Sequence, residues 1–224
     1  MSGNILAIDT ATEAFSVALK CAGQCREIFA VAPREHATRL LPTVDQLLAE
    51  AEIGVGQLDV LVVTRGPGSF TGVRIGIAAA QGLALGADLE LIPVSTLQAL
   101  ALEGHKRTGH ERVIALLDAR MNQVYTAGYE FHQPGGVLRQ EERVCDPQRV
   151  IDGVTFDSPQ LLLAGPGAAA YQEVLSRDFD SSVVDSLADC YPHAAHAIEI
   201  AEVQSIEAVA ASAIEPAYLR GAVR

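Results

Sequence analysis

Six glycines fall between Arg65 and Ala87, in the stretch RGPGSFTGVRIGIAAAQGLALGA. Two kinds of chemistry fit so many. A glycine turn that opens a helix can cradle phosphate, because its amides reach oxygen atoms with no Cβ in the way. The same residues also let two backbones pack where no side chain fits. A shorter stretch, AGPGAAAY, places Gly165 and Gly167 before a helix, although Pro166 removes one amide donor from its middle. Two acids complete the set. Asp9 closes the apolar run of NILAIDTA and Asp118 closes that of RVIALLDAR, where each could cap the turn that follows.

Other reactive side chains are less well grouped. His193 and His196 lie three apart in PHAAH, near Asp189 and Cys190. One helix face could bring both imidazoles to a metal, but a helix start with solvent-facing histidines is the favoured reading. His36, His105, His110 and His132 are scattered through polar stretches, so no metal site is expected. Ser69, in GPGSFTG, is outside the Gly-x-Ser-x-Gly elbow of hydrolases. Cys21 and Cys25 flank the turn AGQ, across which a disulfide is geometrically conceivable. Their spacing is not that of a redox pair, and with Cys145 and Cys190 they read as small hydrophobes.

The chain has 224 residues, 49% apolar and 20% charged, enough for a sizeable core in one or two domains. Sixteen Lys and Arg against 28 Asp and Glu give a net charge of −12. Such a surface repels phosphate backbones, so nucleic acid would be met only indirectly. The start, MSGNILAIDTATEA, lacks the basic region of a secretory signal. Ile75 to Ala87 is too short an apolar run to span a membrane, and Gln81 interrupts it. A cytoplasmic protein without a membrane partner is expected.

The elements that must position these residues follow from periodicity. NILAIDTA reads as a buried strand and FSVALKCAGQCREIFAVAP as an antiparallel hairpin. REHATRLLPTVDQLLAEAEI is helical, with Leu40, Val44, Leu47 and Ala51 on its core stripe and Leu41 and Leu48 widening the apolar face. LDVLVVTRG is a strand buried on both faces, the glycine stretch opens a second helix, and LELIPVS is another strand. The order is β-β-β-α-β-α-β. RVIALLDAR, NQVYTAGYEF, QPGGVLRQEERVC and QLLLAGPGAAAYQEVL repeat the pattern, before a last helix PHAAHAIEIAEVQ and an extended tail, IEPAYLR. This predicts an α/β fold of two similar halves, residues 1–100 and 101–224.

Within the second helix Gly72, Gly76 and Ala80 recur every four residues and form a smooth stripe. Ser69 or Thr71 is placed to cap that helix. Each interior glycine costs about 1 kcal/mol relative to alanine, so a compensating contact is expected. That contact is either internal, against the chain's own sheet or first helix, or with a partner.

The motifs AIDTATEAFSVAL, PREHATRLLP, TRGPGSFTGVRIG, PVSTLQALA, LLDARMNQVY and PAYLR resemble those of the TsaB (YeaZ) family, in order and across essentially the whole chain. The resemblance implies a duplicated actin-like, sugar-kinase-like (RNase H-like) fold. It implies a role in forming threonylcarbamoyladenosine in tRNA, as a non-catalytic partner of the transferase TsaD, assisted by the ATPase TsaE. Relatives resembling TsaD carry two metal-binding histidines where Thr96 and Leu100 stand here. They also carry glycines in the turns that hold nucleotide phosphates, where this chain has Ala11 and Thr12, then Arg120 and Met121.

Asp9 and Asp118 stand where this fold usually keeps a metal-orienting acid. With Gly165 and Gly167 they would form at most a vestigial nucleotide site, and no cofactor is expected. An ATP-dependent phosphotransferase or ATPase is the alternative function, and a peptidase the next. The resemblance assigns docking to the first two helices, through His36, Arg39, Leu40, Leu41, Val44, Leu48, Gly72, Ile75, Gly76, Ala79 and Ala80. A second copy of the chain would fill that surface, as a homodimer, when the TsaD-like partner is missing. On this reading Gly76→Leu breaks docking and leaves the fold intact.

Overall fold

The computed structural model describes residues 3–154, 160–178 and 184–220. Strands β1 (Ile5–Asp9), β2 (Ala14–Cys21) and β3 (Gln24–Val31) precede helix α1 (His36–Glu50). Strand β4 (Val60–Thr64), helix α2 (Phe70–Ala87), strand β5 (Leu91–Val94) and helix α3 (Thr96–Thr108) follow. The second series runs β6 (Arg112–Arg120), β7 (Gln123–Glu130), β8 (Val137–Cys145), β9 (Leu161–Ala164), α4 (Pro166–Ala170), α5 (Gln172–Asp178), β10 (Val184–Leu187) and α6 (Ala194–Gln204). The expected elements are all present. Helix α3 and strand β10 are additions: VDSL is four residues with no periodic signal, and it is a strand because it pairs in parallel with β9.

The two sheets have one topology. The first is ordered β3-β2-β1-β4-β5 and the second, read from its other edge, β8-β7-β6-β9-β10. In each, a central strand pairs antiparallel with its hairpin neighbour and parallel with the strand after it. The duplication legible in the sequence is therefore structural.

The chain forms two compact units, Met1–Thr96 with Pro192–Ala217, and Leu97–Tyr191 with Tyr218–Arg224. This differs from the division at residue 100. Helix α6, placed by sequence in the second half, packs on β1, β2 and β4 of the first sheet. The reason lies in the faces of that sheet. Leu6, Ile8, Val17, Leu19, Leu61 and Val63 share the face that meets α1 and α2. The opposite face carries Ala7 and Ala18 as cross-strand neighbours, and the alanines of α6 (Ala194, Ala197, Ala201) are fully buried. Small residues on both sides let that helix lie close.

Register also settles the cysteines. Lys20 pairs with Cys25 and Cys21 with Gln24, so Cys21 and Cys25 point to opposite faces of the hairpin. All four cysteines are free thiols.

Helix α2 begins at an N-cap, Ser69, whose hydroxyl accepts from the Gly72 amide at 3.3 Å. The glycine stripe then packs inward. A Cβ on Gly72 would collide with the Thr10 carbonyl, and one on Gly76 would lie 2.5 Å from Thr10 Oγ1 and 3.6 Å from Ile8 Cγ2. Ala80 is fully buried. The compensating contact is therefore internal, and Gly76→Leu would disrupt the fold before it touched any docking. Gly82 and Gly86 behave oppositely, since a Cβ on either meets nothing within 4 Å.

These contacts set an expected contrast in thermal melts of the isolated chain. Gly72→Ala forces a Cβ into a backbone carbonyl and lowers stability by more than about 2 kcal/mol. Gly82→Ala fills open space in a helix interior and raises it by about 0.5–1 kcal/mol.

Candidate functional site

Asp9 ends β1 fully buried. It accepts a hydrogen bond from the Thr64 hydroxyl and a long one, 3.4 Å, from the Ala11 amide. Burial pushes its carboxyl up to about 7, against the lowering effect of those bonds. The turn after it is internally bonded. Thr10 Oγ1 donates to the Gly72 carbonyl at 2.7 Å, the Ser69 amide donates to the Ala11 carbonyl at 2.7 Å, and a Cβ on Gly68 would strike that same carbonyl. Thr10, Ala11 and Thr12 are all buried. The start of α2 thus packs against the carbonyl side of this turn, while the Ala11 and Ala14 amides are taken by Asp9 and Thr12.

In the second unit Asp118 is half-buried and caps its own turn. It accepts from the Arg120 amide at 2.8 Å and the Tyr171 hydroxyl at 3.1 Å, and Arg120 Nη1 lies 3.0 Å from its other oxygen. Arg120, Met121 and Asn122 all adopt left-handed backbone, with φ of 62, 54 and 58°, a conformation that favours glycine. Arg220 stitches this turn, donating to the carbonyls of Ala119 (3.0 Å) and Arg120 (3.3 Å) and to Gln123 Oε1 (3.0 Å). The arginine of the closing PAYLR motif thus supports a turn that lacks glycine. Gly165 and Gly167 also serve packing: a Cβ on either would collide with the Leu116 backbone, and Gly165 has φ of 118°. Helix α4 beyond them is only five residues long. The four residues assigned to a vestigial nucleotide site belong to two separate units, each engaged by its own neighbours.

The metal positions are also engaged elsewhere. Thr96 Oγ1 accepts from the Gly66 amide at 3.1 Å, and Leu100 is buried with its Cδ2 against Gly165. His193 places Nδ1 2.8 Å from Glu27 Oε2 and stacks on Phe29 with ring centroids 4.3 Å apart. The histidine pair is therefore half-buried to buried, rather than solvent-facing. Among the described residues no group of three or more His, Cys, Asp and Glu side chains is placed to hold a metal ion.

Sequence reasoning missed Glu27. It caps the start of α6, accepting from the Ala195 amide at 3.0 Å and from Ser16 Oγ at 2.6 Å. Burial alone would raise its carboxyl, but the bonds from His193, Ala195 and Ser16 outweigh burial and hold it down at about 2. Strand alternation put Glu27 on the same face as Ser16, but only the placement of α6 reveals the partner.

The eleven residues assigned to docking divide by burial. Leu40, Val44, Leu48, Gly72, Gly76 and Ala80 are buried within the first unit. His36 is buried too, its Nε2 bonded to the Ala14 carbonyl at 3.0 Å; these seven form no surface. Arg39 lies half-exposed over Phe15, 5.4 Å from the ring centroid. Leu41 is 50% exposed, and Ile75 and Ala79 are half-buried. The outward face of α2 instead runs through Phe70, half-exposed Arg74, Ala78, Gly82 and Leu85. Phe70 is 71% and Leu85 74% exposed, and the Arg74 guanidinium covers the Phe70 ring at 3.4 Å. Their spacing of four, four, four and three was readable as a second stripe. The helix is 18 residues long, longer than the apolar run read from sequence, and by length and composition alone could cross a membrane. Its inward face is committed to the first core.

Two carboxyls with opposite shifts give a definite pH dependence. Glu27 is depressed when folded, so it stabilises by about 3 kcal/mol above pH ~4.5, and that contribution disappears toward pH ~2. Asp9 is raised, so its contribution declines between pH ~4 and ~7 and stays low above that. Denaturant titrations across pH should show Glu27→Gln destabilised near neutrality but not near pH ~2. Asp9→Asn should gain stability near neutrality, on the order of 3 kcal/mol, and match the parent near pH ~4.

Comparison with known proteins agrees with this architecture. Residues 30–220 match the TsaD family model, described as tRNA N6-adenosine threonylcarbamoyltransferase. The chain is 39% identical to the tRNA threonylcarbamoyladenosine biosynthesis protein TsaB of Haemophilus influenzae, over 98% of this chain and 94% of that one. It is 44% identical to the TsaB of Escherichia coli over 76% of this chain and 74% of that one. The solved structure of YeaZ from Pseudomonas aeruginosa superposes with a TM-score of 0.88 at 40% identity, covering 97% of this chain and all of that one. The fold is the duplicated actin-like, RNase H-like one, and the chain belongs to the TsaB (YeaZ) family.

Proposed function

We propose that the chain takes part in forming threonylcarbamoyladenosine in tRNA as a non-catalytic subunit. On this reading it docks a TsaD-like paralogue through the exposed sides of α1 and α2. A TsaE-like ATPase joins the assembly, and the acidic surface leaves tRNA to be held mainly by other subunits. The observation that carries the docking is the outward half of α2. Gly82 and Gly86 each cost about 1 kcal/mol in a helix and have no internal contact to offset it. They lie beside exposed Leu85 and Ala78, a smooth apolar face that a partner helix can approach closely. Arg39, Leu41, Ile75 and Ala79 are the assigned docking residues that retain exposure for this role.

The internally bonded turn after Asp9 supports a non-catalytic role. A phosphotransferase would need free amides in that turn, and those of Ala11 and Ala14 are taken by Asp9 and Thr12. A peptidase has less support still, because the Ser69 hydroxyl caps α2.

The deciding experiment is reconstituted tRNA modification with all partners, and then with this chain omitted. Modification should stop on omission, while the chain alone neither hydrolyses ATP nor modifies tRNA; undiminished modification overturns the proposal. Leu85→Glu should weaken capture of the TsaD-like partner by at least about tenfold with an unchanged melting temperature. Retained capture moves the interface off α2, and capture of a second copy alone identifies a homodimer face. Asp118→Ala should leave modification nearly intact, since that carboxylate is engaged with its own turn.

A further inference from the structure

A row of polar side chains crosses the first sheet beneath the start of α6. Thr64, Asp9, Ser16 and Glu27 share that face, with Asp9 paired to Ser16 across the strands and Ser16 bonded to Glu27. The first turn of α6 lands on it. The Ala194 amide donates to Ser16 Oγ at 2.9 Å, and the Ala195 amide to Glu27 Oε1 at 3.0 Å. His193, the N-cap residue, lies 2.8 Å from Glu27 Oε2. Two carboxyls thus sit under one helix start with one imidazole, and Glu27 takes both that imidazole and a helix amide. The charged groups acting on Asp9 are His193, at the start of α6, and Glu27, on β3; β4 and β2 face it with the Thr64 and Ser16 hydroxyls.

The chain beyond α6 leads to α2. Val209 pairs with Leu91 through two backbone bonds of 2.8 and 2.9 Å. Ala211 and Ile214 enter the core beside α2, and Gln81 on α2 donates to the Ala211 carbonyl at 2.8 Å. Pro192–Ala217 is therefore a strap, seated on the polar row at one end and against α2 at the other.

We propose that Asp9 makes this strap proton-sensitive: with Asp9 neutral the first turn of α6 seats on Ser16 and Glu27, and loss of the Asp9 proton to solvent favours a conformer in which that turn lifts and water reaches the carboxylate. The physical reason is charge compensation. One imidazole and one helix start compensate one carboxylate, the part-exposed Glu27, and a second, fully buried beside it, must find water. Seated, Asp9 keeps its proton up to about pH 7; hydrated, it releases it near pH ~4. Lifting therefore becomes easier as pH rises across that window and levels off above it. Glu27, held at about 2, stays ionised throughout. The strap's bearing on docking rests on the function proposed above; the strap itself does not.

Amide hydrogen exchange on the full chain without partners tests this, with rates corrected for intrinsic pH dependence. Protection at Ala194 and Ala195 should fall by about tenfold or more between pH ~5 and ~7 and flatten above. In Asp9→Asn it should stay high and independent of pH. Flat protection in the parent chain overturns the proposal, and so does an equal slope in Asp9→Asn. A slope that survives Asp9→Asn but vanishes in His193→Gln assigns the effect to the imidazole and overturns it too. Carboxyl NMR of the unmutated chain is a second readout: Asp9 titrating near neutrality supports the strap, and titration in the ordinary aspartate range overturns it. None of these measurements uses a partner, so failure of the docking proposal would leave them unaffected.

Discussion

Each unit closes around a place where a glycine backbone meets the backbone of the central strand or of the turn that follows it. In the first, Gly68 and Gly72 abut the carbonyls of Ala11 and Thr10, with Gly76 one turn further along Thr10 and Ile8. In the second, Gly165 and Gly167 abut Leu116 on β6. A methyl group at any of these positions would force helix and strand apart, and every large core residue between them would lose contacts. The same approach brings the start of α2 onto the carbonyls of the turn after Asp9. Close packing and an open phosphate cradle are competing uses of such glycines, and here Gly68, Gly72, Gly165 and Gly167 are engaged in packing.

That constraint sorts the glycines of α2 by direction. Gly72 and Gly76 face inward and are offset by contacts; Gly82 and Gly86 face outward and are not. The helix therefore carries two smooth stripes rather than one. The inward stripe belongs to the fold, and the outward one, with Leu85 and Phe70, is the surface the proposed docking uses.

The opposite face of the first sheet follows a different rule. Its small residues admit α6, and the polar row under that helix must balance its own charge. Glu27 does so through the helix start and His193, while Asp9 remains protonated up to about pH 7 because burial costs its charged form more than two hydrogen bonds return. The strap that α6 begins then reaches α2, so the two faces of the sheet are joined through one C-terminal segment.

Much of the fold was legible in residue order. Strict alternation in β2 and β3, the continuous apolar runs of β1, β4 and β6, and the helical stripe of Leu40, Val44 and Leu47 are local patterns, and period decides the element. The repeated strand–acid and strand–glycine motifs gave the duplication, and the family motifs are contiguous enough to be read without coordinates. Direction was another matter. Spacing separates the stripe of Gly72 from that of Gly82 but not which faces inward, and only the position of Thr10, 62 residues away, sends one inward. His36 and Leu48 read as surface because the neighbours that bury them come from other elements, Ala14 on β2 among them. α6 follows the second half in sequence, yet Ala7 and Ala18 supply the shallow face it needs. Sequence by itself determined most of the elements, their order and the family; tertiary structure made β10 a strand and decided which face of each helix is buried and which is exposed, because that depends on contacts between residues far apart in the chain.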